Sequence, residues 1–72
     1  MNKRELESVM KRYGDTQETL AEALGLSRTR LNCKMNKRYN ATFNQPEIKQ
    51  IKQRYNLSAK EVENIFFTEN VS

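Results

Sequence analysis

The apolar positions of this chain recur at intervals of three and four rather than two. Leu6, Val9, Met10 and Tyr13 form one stripe at i, i+3, i+4 and i+7, which predicts a first helix over about Lys3 to Tyr13. Gly14 follows as a stop, since glycine takes the left-handed conformation at no steric cost. Asp15 or Thr16 then caps a second helix, with Glu18 near its positive end and Leu20, Ala21 and Leu24 on its inner face. Gly25 closes that helix and Leu26 turns inward. Ser27 caps a third helix, on which Leu31 and Met35 share one face, and which ends between Asn36 and Tyr39.

Residues 37–44 are rich in turn formers and predict a loop. Asn44 and Glu47 have the spacing of a capping box, Phe43 stands at the staple position, and Pro46 falls in the first turn, where its missing N–H does no harm. A fourth helix turns Ile48, Ile51 and Tyr55 inward. After Leu57, Ser58 and Glu61 form a second capping box that opens a short fifth helix burying Val62, Ile65 and Phe66. A tail from Phe67 to Ser72 packs through Phe67 or Val71, or frays. No stretch alternates with period two long enough to predict a strand. The expectation is an all-α, compact five-helix single domain spanning residues 1–72.

Composition narrows the chemistry. The chain has 72 residues, no histidine, no tryptophan and a single cysteine, Cys33. An internal disulfide is excluded, and no Cys/His cluster can hold zinc. The commonest general acid–base side chain is missing. Glu5/Glu7 and Glu61/Glu63 are two apart on helices and so point in different directions. An enzyme is not expected, nor a cofactor or metal. Cys33 has no neighbour that would activate it, and is expected as a small or half-buried filler. Tyr39 and Tyr55 are expected as partial core. No window reaches the ~18 apolar residues of a membrane span and no apolar leader follows Met1, so a cytoplasmic protein is the default.

Charge sharpens the picture by where it lies. No acidic residue occurs between Ala23 and Pro46, while Arg28, Arg30, Lys34, Lys37 and Arg38 stand there; the remainder holds eight basic and nine acidic residues. A charge run alone is ordinarily a solvated face. Here it coincides with two capped helices joined at Gly25, where a tight turn needs a positive φ. Ala21 is small where the second helix of the pair must approach, and Leu20, Leu24, Leu26 and Leu31 supply the shared interface.

The string Gln-Glu-Thr-Leu-Ala-Glu-Ala-Leu-Gly-Leu-Ser-Arg-Thr-Arg-Leu, residues 17–31, resembles the helix-turn-helix of phage repressor and Cro-like (XRE-type) proteins. The remainder, Phe43…Glu47-Ile48…Ile51…Leu57-Ser58…Val62…Ile65-Phe66-Phe67, is similar to small Cro-like regulators of temperate phages. Nearest in look are the modulator-of-repression (anti-repressor) proteins of lactococcal phages. The resemblance implies a lambda-repressor-like fold with the helix-turn-helix over about 17–36, and a DNA-binding transcriptional regulator of a lysogeny/lysis switch, acting in a bacterial host cell at the nucleoid. It also implies an alternative, an anti-repressor that acts mainly by binding a larger phage repressor.

On the DNA-binding expectation, a helix of about nine residues is roughly 14 Å long and fits a major groove about 12 Å wide. Arg28, Thr29, Arg30 and Cys33 are the candidates for base contacts, arginine because it can make two parallel hydrogen bonds to guanine. Ser27, Lys34, Lys37 and Arg38 are candidates for phosphate contacts. The resemblance adds Gln17, at a helix start that already favours an anion, and Asn36 at the far end of the third helix. It also implies an apolar residue where Lys34 stands; with Met35 facing the core instead, the helix is expected to be rotated or its end loosened. Operator DNA in double-stranded form is the expected partner, bound by a monomer or by a weak homodimer joined through the fourth or fifth helix or the Phe66-Phe67 end.

Overall fold

The computed structural model describes residues 1–67, which hold five α-helices and no strand. They are α1 (Lys3–Arg12), α2 (Gln17–Leu24), α3 (Arg28–Asn36), α4 (Gln45–Arg54) and α5 (Ala59–Val62). A 3-10 turn, Arg38–Asn40, follows α3, and α5 runs directly into a π turn, Glu63–Phe67. The expected packing of Val71 lies outside the described residues.

Each helix begins on a side-chain cap. Asn2, Thr16, Ser27, Asn44 and Ser58 each accept a hydrogen bond from the backbone N–H three residues on. Asn44 with Glu47 and Ser58 with Glu61 close the two expected capping boxes. At α2 the box is made by Thr16 and Thr19: the Thr16 N–H donates to Thr19 Oγ1 at 2.8 Å, and the Thr19 N–H donates back at 3.2 Å. Asp15 is thereby released for a longer-range task.

The helix ends follow a common design. At Gly14 and Gly25 the backbone is left-handed, with φ of 73° and 71°. After Gly25 the Leu26 N–H reaches the Ala21 carbonyl at 2.8 Å, which turns Leu26 back against the core. Asn56, also left-handed, does the same for α4, with the Leu57 N–H on the Lys52 carbonyl at 2.9 Å.

One core joins all five helices. Leu6, Val9 and Met10 of α1 meet Leu20 and Ala21 of α2, Leu31 and Met35 of α3, and Ile48 and Ile51 of α4. Val62 and Ile65 close it from the C-terminal side, with Phe43 and Phe66 in edge-to-face contact at 5.6 Å. The Asn2 N–H donates to the Ile65 carbonyl at 2.6 Å and ties the two ends of the described chain together.

Three expectations change here. Tyr13 is not part of the buried stripe: α1 ends at Arg12, and Tyr13 is 51% exposed as its cap. Its ring leans on Tyr55 at 5.2 Å and its hydroxyl donates to the Tyr55 carbonyl. Tyr55, expected as partial core, is fully buried. Tyr39, likewise expected as partial core, is 90% exposed. Lys37, Tyr39 and Asn40 are all left-handed, so the chain reverses sharply after α3 and swings the Tyr39 ring out. No helix among the described residues is long and apolar enough to cross a membrane.

Candidate nucleic-acid interface

The face of α3 that points away from the core is its first turn. Leu31, Lys34 and Met35 are buried, at the i, i+3, i+4 spacing of one helix face. Ser27, Arg28, Thr29 and Arg30 are exposed, and Cys33 is half-buried at the edge of the same surface. The Ser27 hydroxyl accepts from the Arg30 N–H at 3.1 Å, which fixes the start of the helix and leaves the side chains around it facing out. Beyond the other end of α3, Lys37 and Arg38 are exposed beside Tyr39. None of the Arg28, Arg30, Lys37 or Arg38 side chains has a hydrogen-bond or ion-pair partner among the described residues. Four cations without a partner among the described residues thus flank the two ends of one helix.

Lys34 does not belong to that surface, contrary to its expected place at a phosphate. It is 5% exposed, and its ammonium lies 2.6 and 2.8 Å from the two Glu47 carboxylate oxygens. Glu47 Oε1 also accepts from the Asn44 N–H at 3.0 Å, so one carboxylate both caps α4 and binds α3. Lys34 and Met35 therefore both face inward, and α3 runs unbroken to Asn36. A lysine can stand at an apolar helix position because its carbon stem packs as an aliphatic chain while a buried carboxylate meets its charge.

Gln17 and Asn36 are drawn together by a residue that sequence reasoning did not single out, Asn32. Its Nδ2 donates to Gln17 Oε1 at 3.1 Å, and its own carbonyl and Oδ1 accept from Asn36 Nδ2 at 2.9 and 3.2 Å. Lys3 completes the set by donating from its Nζ to Asn36 Oδ1 at 2.6 Å. Both polar ends of the Asn36 amide are therefore turned into the protein, which leaves Gln17 as the outer member. The i, i+4 spacing of Asn32 and Asn36 was a visible signal for part of this set; the participation of Lys3 had none.

Just before α2, Asp15 fastens the α1–α2 turn to the end of α4. Its carboxylate accepts from Arg54 Nε at 2.7 Å, Arg54 Nη2 at 2.9 Å, the Tyr55 hydroxyl at 2.6 Å and Thr19 Oγ1 at 2.9 Å. The Arg54 hydrogen bond above all, helped by Tyr55 and Thr19, holds the Asp15 carboxyl well below the usual range although burial pushes the other way. Burial, then the bond to Asp15, raises the Tyr55 phenol far above its ordinary value. These bonds tie the start of α2 to the end of α4, and none of them involves the exposed first turn of α3.

Among the described residues no group of three or more histidine, cysteine, aspartate or glutamate side chains could hold a metal ion. The arrangement presents exposed cations around the first turn of α3 and just beyond its last. No protein-family model, curated protein sequence or solved structure matches this chain.

Proposed function

We propose that the chain is a sequence-specific, double-stranded DNA-binding transcriptional regulator in which α2 and α3 form a helix-turn-helix and α3 enters the major groove. The observation that carries this reading is the outward first turn of α3: Ser27, Arg28, Thr29 and Arg30 are exposed, the Arg28 and Arg30 guanidiniums have no partner among the described residues, and the opposite face of the helix is buried. Arg28 and Thr29 meet base edges, and Arg30 reaches a base or a phosphate. Lys37 and Arg38, at the far end, hold the backbone. Cys33 sits where a small side chain lets the groove wall approach. Binding of this kind excludes another protein from the same DNA, which is how a small DNA-binding regulator can act.

Helix-turn-helix proteins often bind as dimers with half-sites about 34 Å apart. The exposed Phe67, beside Pro46, Ile48 and Val62, is the apolar surface available for a weak contact between copies on DNA.

Titrating the purified chain against its own promoter region at several salt concentrations tests the proposal. The expected result is specific binding in the nanomolar to micromolar range that Arg28→Ala weakens. No specific complex at low salt, together with tight binding to a co-encoded repressor, would falsify it in favour of a regulator that acts on another protein.

A further inference from the structure

We propose that Asn32 and Lys3 are positioning residues that lock the Gln17 amide with its NH2 group outward, as a ready hydrogen-bond donor to a DNA phosphate. This rests on the DNA-binding function proposed above and specifies how one of its backbone contacts is built.

The inference follows from the direction of four hydrogen bonds. A lysine ammonium can only donate. Lys3 Nζ, 2.6 Å from the Asn36 side chain, therefore requires that Asn36 present its oxygen. That choice turns Asn36 Nδ2 toward Asn32, where it meets two acceptors, the main-chain carbonyl and Oδ1. The oxygen of Asn32 is then committed, so its Nδ2 faces Gln17 and must find an acceptor there. It finds Oε1 at 3.1 Å. The last amide in the series is left with its oxygen inward and its nitrogen without a partner among the described residues.

A series that starts at a cation thus ends in a donor. Reversing any one amide would set two donors or two acceptors face to face in a part-buried place, so the whole row keeps one orientation. A glutamine on an open helix start turns its amide freely and offers oxygen to a phosphate as readily as nitrogen. Here that freedom is removed before DNA arrives, which lowers the ordering cost of the contact. Gln17 is the first residue of α2, whose positive end favours an anion through the N–H groups that the Thr16 cap leaves open.

A double-mutant cycle on the full chain tests this. Asn32→Ala is expected to weaken binding about fivefold on operator and on random duplex alike, because a phosphate contact is sequence-independent. In a Gln17→Ala background the same change is expected to have no further effect. In the free protein, the side-chain NH2 resonances of Gln17 are expected to move in Asn32→Ala and in Lys3→Met while the core resonances stay in place. Asn32→Asp, which can only accept, is expected to draw that NH2 inward and slow its exchange with water. Full additivity of Asn32→Ala and Gln17→Ala overturns the proposal, as do Gln17 resonances indifferent to Asn32 and Lys3. If the wild-type chain binds no DNA, the phosphate role fails with the parent function, and the NH2 resonances still report whether the row of amides exists.

Discussion

The Lys34 ammonium sits 2.6 Å from the Glu47 carboxylate, with both side chains almost wholly out of solvent, and this pair joins the last turn of α3 to the first turn of α4. Removing one member of a buried pair strands the other charge, a loss of about 3–5 kcal/mol, whereas replacing both can be nearly neutral. Lys34→Met alone is therefore expected to take away much of the stability of so small a domain. Lys34→Met with Glu47→Gln is expected to recover most of it, since glutamine keeps the capping geometry without the charge. Urea unfolding of the two variants decides the matter. An equal loss in both would mean that the stranded charge is not what costs.

Acid stability depends on Asp15. Its carboxyl is held below the ordinary range chiefly by the Arg54 hydrogen bond. Such a group stabilises the fold above its unfolded value, near ~4, and that contribution drains away as the pH falls through the lower folded value. At neutral pH Asp15→Asn is expected to cost about 1–2 kcal/mol, because the Arg54 side chain is 38% exposed and solvent screens part of the attraction. Between about pH 5 and pH 2 the stability of the variant is expected to fall less steeply than that of the wild type. Parallel curves would show that Asp15 is not the group that titrates.

Salt dependence separates the exposed cations from the buried one. With Lys37 and Arg38, and at most Arg30 beside them, on phosphates, the log–log slope of DNA affinity against salt is expected to be about −2 to −3 per protomer. Arg38→Ala is expected to make it shallower by about 1. The stable double variant Lys34→Met/Glu47→Gln is expected to leave it unchanged. A shallower slope in that double variant would mean that Lys34 leaves its partner and reaches DNA.

Gly25 permits the turn between α2 and α3, with a φ of 71°. An added Cβ meets no atom within 4 Å there, so only backbone strain opposes a substitution. Gly25→Ala is expected to lower stability by about 1 kcal/mol, measured by thermal unfolding. No loss would show that the turn relaxes to a negative φ.

Most of the architecture was legible in the sequence because it rests on local rules. Caps at Ser27, Asn44 and Ser58, stops at Gly14 and Gly25, and the three-and-four spacing of Leu6, Val9 and Met10 each act within a few residues. What escaped was set by partners distant in the chain. Lys34 looked like a surface cation because its counter-charge stands on another helix, 13 residues on. Asp15 looked like a cap because Arg54 and Tyr55 are about 40 residues away. Tyr39 looked like core because an aromatic residue gives no sign of a left-handed backbone that will turn it out. For the candidate site, the exposed turn of α3 followed from the helix period, while the row linking Lys3, Asn36, Asn32 and Gln17 needed three elements placed in space.

That α3 reads base edges is tested most directly by selection from a pool of random DNA duplexes, with the wild-type chain and Arg28→Lys run in parallel. Lysine keeps the charge but lacks the planar fork that bonds guanine twice. The wild type is expected to enrich one defined sequence, and Arg28→Lys to lose preference at a single guanine within it while binding DNA of any sequence about as well. A wild-type pool that remains random at low salt would contradict the account.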